Sequence, residues 1–193
     1  MNKEVKERPS VKEIEAELKR VKYRSRYNTV MKSTVYTLIT VAAMAVLVAT
    51  LWLPVLEIFG SSMTPTFNDG DIVFSVKTDK MEKGDIIAFY YNNKILVKRV
   101  IATSGSWVEM AMDGTVFVDN VEQQESYITD KSYGDADIDF PYQVPEGKVF
   151  VMGDHRATSV DSRHSAVGCI EKERVVGKIV FRVWPLDSFG AIK

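Results

Sequence analysis

Hydrophobic and polar positions divide the chain into three regions. Residues 1–32 are rich in charge, Ser33 to Leu56 form an uncharged stretch of 24 residues, and short apolar runs alternate with polar turns after that. A helix needs about 20 apolar residues to cross a bilayer. A cleaved secretory signal fits less well because its apolar core is shorter, and a buried core helix is rarely apolar on every face. The pattern therefore predicts one N-terminal transmembrane helix over residues 33–56.

The apolar runs after residue 56 predict a mostly β domain. They are short, Gly, Asn and Asp separate them, and no long helical period appears among them. The predicted strands are Asp71–Val76, Asp85–Tyr91, Ile95–Thr103, Trp107–Met110, Thr115–Val118, Lys148–Met152 and Val175–Trp184. Strands at this spacing are typical of an antiparallel β-sheet sandwich or a partly open barrel. The polar and aromatic residues 124–145 predict a long loop or small subdomain, within a small insertion at about 111–147.

Charge is distributed unevenly along the chain. Residues 1–32 contain ten Lys or Arg and five Asp or Glu, whereas residues 57–193 contain fifteen and twenty-one. Because basic residues favour the cytoplasmic side of a span, the sequence predicts a cytoplasmic arm at 1–32 and an extracytoplasmic domain at 57–193. The main domain is acidic, which argues against nucleic-acid binding because that needs a basic surface.

The basic arm also predicts a short helix. Ser10 is a candidate N-cap, Glu13 has the spacing of a capping box, and apolar residues follow at helical intervals from Val11. One interpretation is a basic amphipathic helix on the inner leaflet. The other is a solvated topology signal with some helix, which the mixed charges favour.

Two short segments carry candidate chemistry. Ser62 lies in the turn-rich segment Gly60–Thr66, and Lys98 lies in the apolar, β-branched run Val97–Val100. A serine hydroxyl becomes a good nucleophile only when a base takes its proton, and most turn serines bond local backbone instead. A lysine is such a base only when neutral, which needs a pKa roughly 3 below its usual value of about 10.4. Burial in an apolar strand lowers the pKa that far, whereas a lysine that extends its amine into water keeps its charge.

A third segment, Gly153–Arg163, contains acids, bases and hydroxyls in one loop. Asp161 can pair with Arg163, and Arg99 can reach Asp154, although such pairs contribute little on a surface. The three segments, in this order and after an N-terminal span, resemble the bacterial type I signal peptidases of the single-span, Gram-positive kind.

This resemblance covers about residues 30–185 and implies roles for individual residues. Ser62 matches the nucleophile, and its backbone amide matches a donor to the oxyanion. Lys98 matches the general base, and Ser159 matches a hydroxyl that hydrogen-bonds to that lysine and orients it. Some relatives carry a serine two positions before the nucleophile as a further oxyanion donor, but this chain has Gly60 there. Only backbone donors are therefore expected.

The resemblance also implies a set of supporting residues around the Ser–Lys pair. They are the ion pair Asp161–Arg163, the ion pair Asp154–Arg99, and Gly153 as a backbone position close to the site. His155 and His164 are expected to be structural or surface residues, because a Ser–His arrangement needs a third orienting group. The single cysteine, Cys169, is expected to be a buried residue inside a strand.

The implied function is that of a membrane-bound serine endopeptidase in the plasma membrane. It would remove N-terminal signal peptides from exported precursor proteins through a Ser–Lys dyad and an acyl-enzyme. Its partners would be secretory precursors with small residues before the cut, membrane lipid and the export machinery. No cofactor is expected, and two histidines and one cysteine are too few for a metal site.

Three alternatives use the same residues differently. A self-cleaving Ser–Lys protease of the repressor type lacks such a span. A processing factor dedicated to pili or surface proteins keeps the fold but uses one substrate. A non-catalytic membrane scaffold would not need both Ser62 and Lys98, and both are present.

Overall fold

The computed structural model describes residues 10–52 and 54–192, and it begins with one long helix. Helix α1 runs over Val11–Trp52 without a break. The predicted capping box is confirmed, since the Ser10 N–H donates to Glu13 Oε2 at 2.8 Å and the Glu13 N–H donates to Ser10 Oγ at 3.4 Å. The helix of the arm is longer than predicted because the sequence contains no Gly or Pro between Pro9 and Pro54.

The predicted span of residues 33–56 is helical only as far as Trp52. Val55 and Leu56 instead form the first strand of the β unit. Within the described residues, α1 is the one helix long and apolar enough to cross a membrane, with a mean hydropathy of 1.7 in its apolar part. Residues 1–9 of the predicted arm and Leu53 of the predicted span lie outside the described part of the chain, as does Lys193.

Residues after Pro54 form a β-rich unit of short strands. The strands are β1 Val55–Glu57, β2 Ile72–Val76, β3 Ile86–Tyr91, β4 Lys94–Thr103, β5 Trp107–Met110, β6 Val116–Val118, β7 Val121–Glu122, β8 Tyr142–Gln143, β9 Lys148–Met152, β10 Ile170–Glu171, β11 Val175–Trp184 and β12 Gly190–Ala191. Two 3₁₀ turns, Lys172–Arg174 and Leu186–Ser188, flank β11. All seven predicted strands are present, and three of them have the predicted bounds.

The strands form two antiparallel sheets. The large sheet has the order β1-β2-β11-β3-β4-β9-β10, with β12 added to β11, and the small sheet has the order β7-β6-β5-β8. Strand β4 pairs with β3 from Lys94 and with β9 only from Arg99. The first half of β4 is therefore a free edge of the large sheet in the described structure, and β1 is another.

The two sheets pack against each other through a shared apolar core. Val108, Met110 and Val116 of the small sheet contact a cluster that includes Phe150 and Met152 of the large sheet. The mostly β, antiparallel class is thus confirmed, with a sandwich-like contact between the sheets and no closed barrel among the described strands. The predicted insertion contributes strands β6 to β8 to the small sheet, and much of residues 124–145 has no regular structure.

Candidate active site

The Ser62 hydroxyl and the Lys98 amine meet, although the two residues lie far apart in sequence. Ser62 sits in the turn that connects β1 to β2, and Lys98 sits in the middle of β4. Lys98 Nζ lies 2.7 Å from Ser62 Oγ and 3.1 Å from the carbonyl oxygen of Val97. Buried Met63 and Phe67 anchor the turn in the core below it, which fixes the position of the hydroxyl.

Lys98 is buried, and this burial destabilises the charged form of its amine. The residue is only 3% exposed, so the alternative of an amine extended into water does not apply. Burial lowers the pKa of Lys98 to about 8, while the nearby carboxylates of Asp161 and Asp154 oppose this shift. A fraction of the amine is therefore neutral near pH 7–8, as a base requires.

The backbone of Ser62 is also placed for chemistry. Its carbonyl accepts a hydrogen bond of 3.1 Å from the His155 N–H. Its own N–H donates to no group within the described residues, so this donor is open to a substrate oxygen. Gly60 has a φ of +83°, a conformation that glycine adopts easily, and it supplies no side-chain donor. The oxyanion donor predicted at the Ser62 amide is thus geometrically free.

Gly153 lies directly against the backbone of Ser62. A Cβ at this position would stand 2.5 Å from the carbonyl oxygen of Ser62 and 2.2 Å from Ser159 Oγ. No side chain fits in that space, which explains why a glycine is needed here. The Gly153 N–H donates to Asp161 Oδ2 at 3.0 Å, which ties the glycine to the loop behind it.

Ser159 is close to the site but does not bond as the resemblance implies. Its hydroxyl is buried and has no hydrogen-bond partner among residues 10–52 and 54–192. The expected bond to Lys98 is absent because the amine points to Ser62 Oγ and to the Val97 carbonyl instead. Ser159 contributes a wall of the site next to Gly153 rather than a ligand of the lysine.

The predicted pair of Arg99 and Asp154 forms a buried, bidentate ion pair. Arg99 Nε and Nη2 donate to the two carboxylate oxygens at 2.9 and 2.7 Å. The Thr66 hydroxyl donates to the same carboxylate, and Arg99 also donates to the carbonyl of Gly84 at 3.0 Å. The pair therefore links β4, next to Lys98, to the far end of the turn that holds Ser62.

The predicted pair of Asp161 and Arg163 is likewise buried and bidentate. Arg163 Nε and Nη2 each donate to Asp161 at 2.9 Å. The same guanidinium donates to the carbonyls of Tyr133 and Arg156 at 2.9 Å. This pair fixes the carboxylate that holds Gly153, and it ties the loop 153–163 to the irregular segment 124–145.

Three residues of the site are not predicted from the sequence. Arg156 forms a buried ion pair with Glu125, and Tyr127 packs its ring over Arg99. Arg156 lies within the segment Gly153–Arg163, so its place in that loop could have indicated from the sequence that it belongs to the site. Glu125 and Tyr127 lie in a polar stretch about 30 residues away in sequence, and no local pattern links them to the loop.

The histidines and the cysteine lie outside the Ser–Lys pair. His155 Nδ1 lies 2.9 Å from the Thr158 hydroxyl, and His164 Nδ1 accepts from the Ala166 N–H at 3.2 Å. Cys169 is buried, but it precedes β10 instead of lying inside a strand as predicted. Burial raises the pKa of the Cys169 thiol to about 11, so it stays protonated and is a poor nucleophile.

A groove of about 870 Å³ opens beside the Ser–Lys pair. One wall is the segment from Val55 to Met63, which includes β1, and the other is the segment from Asn93 to Lys98, which includes the free edge of β4. The large sheet is thus curved, so that two of its free edges, β1 and the first half of β4, face the same groove. An open groove with a serine, a buried amine and a free backbone amide contains the groups that a serine hydrolase needs.

Comparison with known proteins identifies the family. The family described as signal peptidase, peptidase S26, matches residues 31–184. The chain is 38% identical to Signal peptidase IB of Staphylococcus aureus strain Mu50 over 150 residues, which cover 67% of this chain and 77% of the relative. It is 35% identical to thylakoidal processing peptidase 1 of Arabidopsis thaliana over 142 residues, covering 65% and 40%. The chain belongs to the signal peptidase family.

A solved structure is also similar to part of the chain. The crystal structure of a signal peptidase I from Enterococcus faecalis V583 has 30% sequence identity, covers 51% of this chain and 96% of its own, and gives a TM-score of 0.42.

Membership of the family establishes the general activity. The chain is a serine peptidase that removes signal peptides, and secretory precursor proteins are its substrates. The family and the apolar N-terminal helix together indicate a membrane-anchored protein.

Proposed function

We propose that this chain is a membrane-bound signal peptidase I whose catalytic groups are Ser62 and Lys98. The observation that carries the proposal is the distance of 2.7 Å between a hydroxyl and a buried amine whose pKa is lowered to about 8. A serine needs a base within hydrogen-bond reach, and a lysine needs burial to act as one near neutral pH. Both conditions are met at the edge of an open groove.

The reaction is acyl transfer in two steps. Neutral Lys98 accepts the proton of Ser62 as Oγ attacks the scissile carbonyl, and the backbone amide of Ser62 stabilises the oxyanion. The protonated lysine then donates to the leaving amine, and the peptide bond breaks to give an acyl-enzyme. In the second step, Lys98 accepts a proton from water, the water attacks the ester, and Ser62 is released with its proton restored.

The supporting residues act by holding this pair in place. The pair Asp161–Arg163 holds Gly153 against the nucleophile, and the pair Arg99–Asp154 anchors the strand next to Lys98. Ser159 fills the space beside Gly153 and forms a wall of the site. These buried pairs add little net stability, because pairing does little more than offset the cost of removing the charges from water. Their main effect is to fix the positions of Gly153 and of β4.

The groove accommodates an extended peptide. Its two walls end in unpaired backbone edges, so a strand of substrate can add to either of them by β-augmentation. Strand β1 pairs with β2 and the free half of β4 pairs with β3, so a bound substrate strand would extend the large sheet at either edge. Small residues at the first and third positions before the cut would leave space near Ser62.

The anchor delivers the enzyme to its substrate. Residues 1–32 lie in the cytoplasm, the helix crosses the plasma membrane once, and residues 57–193 form the extracytoplasmic catalytic domain, because the basic residues precede the span. Contact with lipid and with the export machinery follows from this location. Confinement of enzyme and tethered precursor to one membrane raises their effective concentration.

The test is the cleavage of a model precursor by the full-length protein in detergent, with sequencing of the N-terminus of the product. Ser62→Ala and Lys98→Ala should each abolish cleavage while circular dichroism shows a folded protein. Ser61→Ala and Lys80→Ala are matched controls, because Ser61 and Lys80 are exposed, and both should cleave normally. Retained cleavage in Ser62→Ala or Lys98→Ala contradicts the proposal. Several unrelated precursors distinguish a general peptidase from one with a dedicated substrate.

A further inference from the structure

Two charged side chains hold Gly153 from opposite sides. Its N–H donates to Asp161 Oδ2 at 3.0 Å, and its carbonyl accepts from Arg156 Nε at 3.1 Å. Because the position of a missing Cβ lies 2.5 Å from the Ser62 carbonyl oxygen, the Gly153 backbone packs directly on the nucleophile segment. A group that holds Arg156 in place therefore also supports Gly153 where it packs against Ser62.

Glu125 is the group that fixes Arg156. The two side chains form a bidentate ion pair in which the Arg156 side chain is 0% exposed and the Glu125 side chain is 2% exposed. A buried guanidinium without a counter-charge is strongly unfavourable. The paired Glu125 carboxylate therefore stabilises Arg156 in its place beside Gly153.

Tyr127 connects this ion pair to the lysine side of the site. Its hydroxyl donates to Glu125 Oε1 at 2.8 Å, and its ring centroid lies 3.9 Å from the guanidinium carbon of Arg99. Arg99 follows Lys98 directly in β4 and pairs with Asp154. Burial, together with the Glu125 carboxylate, raises the pKa of the Tyr127 phenol, so it remains a hydrogen-bond donor.

We propose that Glu125 and Tyr127 form a clamp that positions both members of the Ser62–Lys98 pair. Glu125 acts on the serine side through its arginine, and Tyr127 acts on the lysine side through its ring contact. They are positioning residues, and they give a role to the irregular segment 124–145. The inference rests on the catalytic roles proposed for the Ser–Lys pair.

The test compares Tyr127→Leu and Glu125→Gln with wild type in the full-length protein, using one model precursor. Both variants should lower kcat by about tenfold or more and leave KM within about threefold, because a small displacement of catalytic groups has effects of this size. The pH at which kcat/KM is half-maximal should also move by about half a pH unit, because Lys98 loses its fixed surroundings. Circular dichroism of each variant over the same pH range gives its folded fraction, and rates are expressed per folded protein, so a pH-dependent change in stability cannot imitate a shift of this midpoint.

Two further variants, measured in parallel, distinguish a failure of this inference from a failure of the proposed function. Glu171→Gln removes a carboxylate from an exposed pair with Lys148 and should leave both kcat and the pH midpoint unchanged. Ser62→Ala tests the proposed function itself, so cleavage by that variant would remove the basis of both proposals.

The inference is overturned when folded Tyr127→Leu and Glu125→Gln keep the wild-type kcat and pH midpoint while Ser62→Ala is inactive. It is also overturned when their loss of rate equals their loss of folded protein and the midpoint stays fixed. When Glu125→Gln is not recovered folded, Tyr127→Leu alone decides, because it removes no charge.

Discussion

Lys98 Nζ lies 2.7 Å from Ser62 Oγ inside a site where the lysine is 3% exposed. In the proposed mechanism, the short distance would provide a path for the proton, and the burial would provide a neutral amine to accept it. Neither feature is sufficient alone, because a charged lysine at this distance would only donate to the hydroxyl.

The first prediction concerns the rate as a function of pH. With the pKa of Lys98 lowered to about 8 by burial, the active, neutral form increases as pH rises. We expect kcat/KM to rise about tenfold per pH unit below this value and to level off above it. Initial rates of precursor cleavage in buffers of constant ionic strength measure this profile. A rate that stays constant between pH 5 and about pH 9 would contradict the assignment of Lys98 as the base.

The second prediction concerns stability. The folded-state pKa of about 8 lies below the ordinary 10.5, so the folded state binds its proton less tightly than the unfolded state does. Burial of the charged lysine therefore lowers the free energy of unfolding. This loss of stability is fully present below pH 8 and disappears as pH rises towards 10.5. Lys98→Met should therefore be more stable than wild type at neutral pH, by up to about 3 kcal/mol.

The stability difference should shrink at high pH, because the wild-type lysine is then neutral in both states. Thermal unfolding in the same detergent, recorded at neutral pH and at about pH 10, measures both values. Lys94→Met is the matched control, since Lys94 lies in the same strand but is exposed, and its difference should not depend on pH. A Lys98→Met protein that is less stable than wild type at neutral pH would show that the buried amine contributes more through its contacts than it costs through desolvation.

Local patterns in the sequence account for much of the fold. The capping box at Ser10, the strands with alternating burial and the apolar surroundings of Lys98 all depend on neighbours within a few residues, and such patterns can be recognised directly. Strand β1 was missed because Val55 and Leu56 extend the apolar stretch of the helix, and only their pairing with β2 separates them from it.

Other features depend on contacts between distant segments, which local patterns in the sequence do not reveal. Glu125 and Arg156 are 31 residues apart, and their side chains meet only after the small sheet has packed on the large one. The orientation of the Ser159 hydroxyl is also decided by tertiary structure, because the amine it was expected to bind has a nearer acceptor in Val97.

The third prediction concerns Gly153. An alanine there would place its Cβ 2.5 Å from the Ser62 carbonyl oxygen and 2.6 Å from Ser159 Cβ, and backbone atoms cannot move away without shifting the nucleophile. We expect Gly153→Ala to lower kcat by about 100-fold or more. Gly168→Ala is a control in the same connection between β9 and β10, since the nearest atom to its Cβ would be the Ser165 carbonyl oxygen, 3.8 Å away. The control should lose about 1 kcal/mol of stability through its positive φ and keep its activity. Equal kcat values for the two variants would show that Gly153 does not set the position of Ser62.

The fourth prediction separates a buried ion pair from an exposed one. Asp154→Asn leaves the Arg99 charge buried without a full counter-charge, so the free energy of unfolding should fall by about 3–5 kcal/mol. Glu171→Gln breaks the exposed pair with Lys148, whose distance is similar at 2.8 Å, and should cost less than about 1 kcal/mol. Denaturant unfolding of both variants in detergent provides the comparison.

A double variant then tests the cause of that loss. Arg99→Met with Asp154→Leu removes both charges and leaves no unpaired charge, so it should recover much of the stability lost in Asp154→Asn. It should remain nearly inactive, because Thr66 loses its acceptor and the turn that holds Ser62 loses its link to β4. A double variant that is stable and also fully active would show that this pair serves neither the fold nor the position of the catalytic groups.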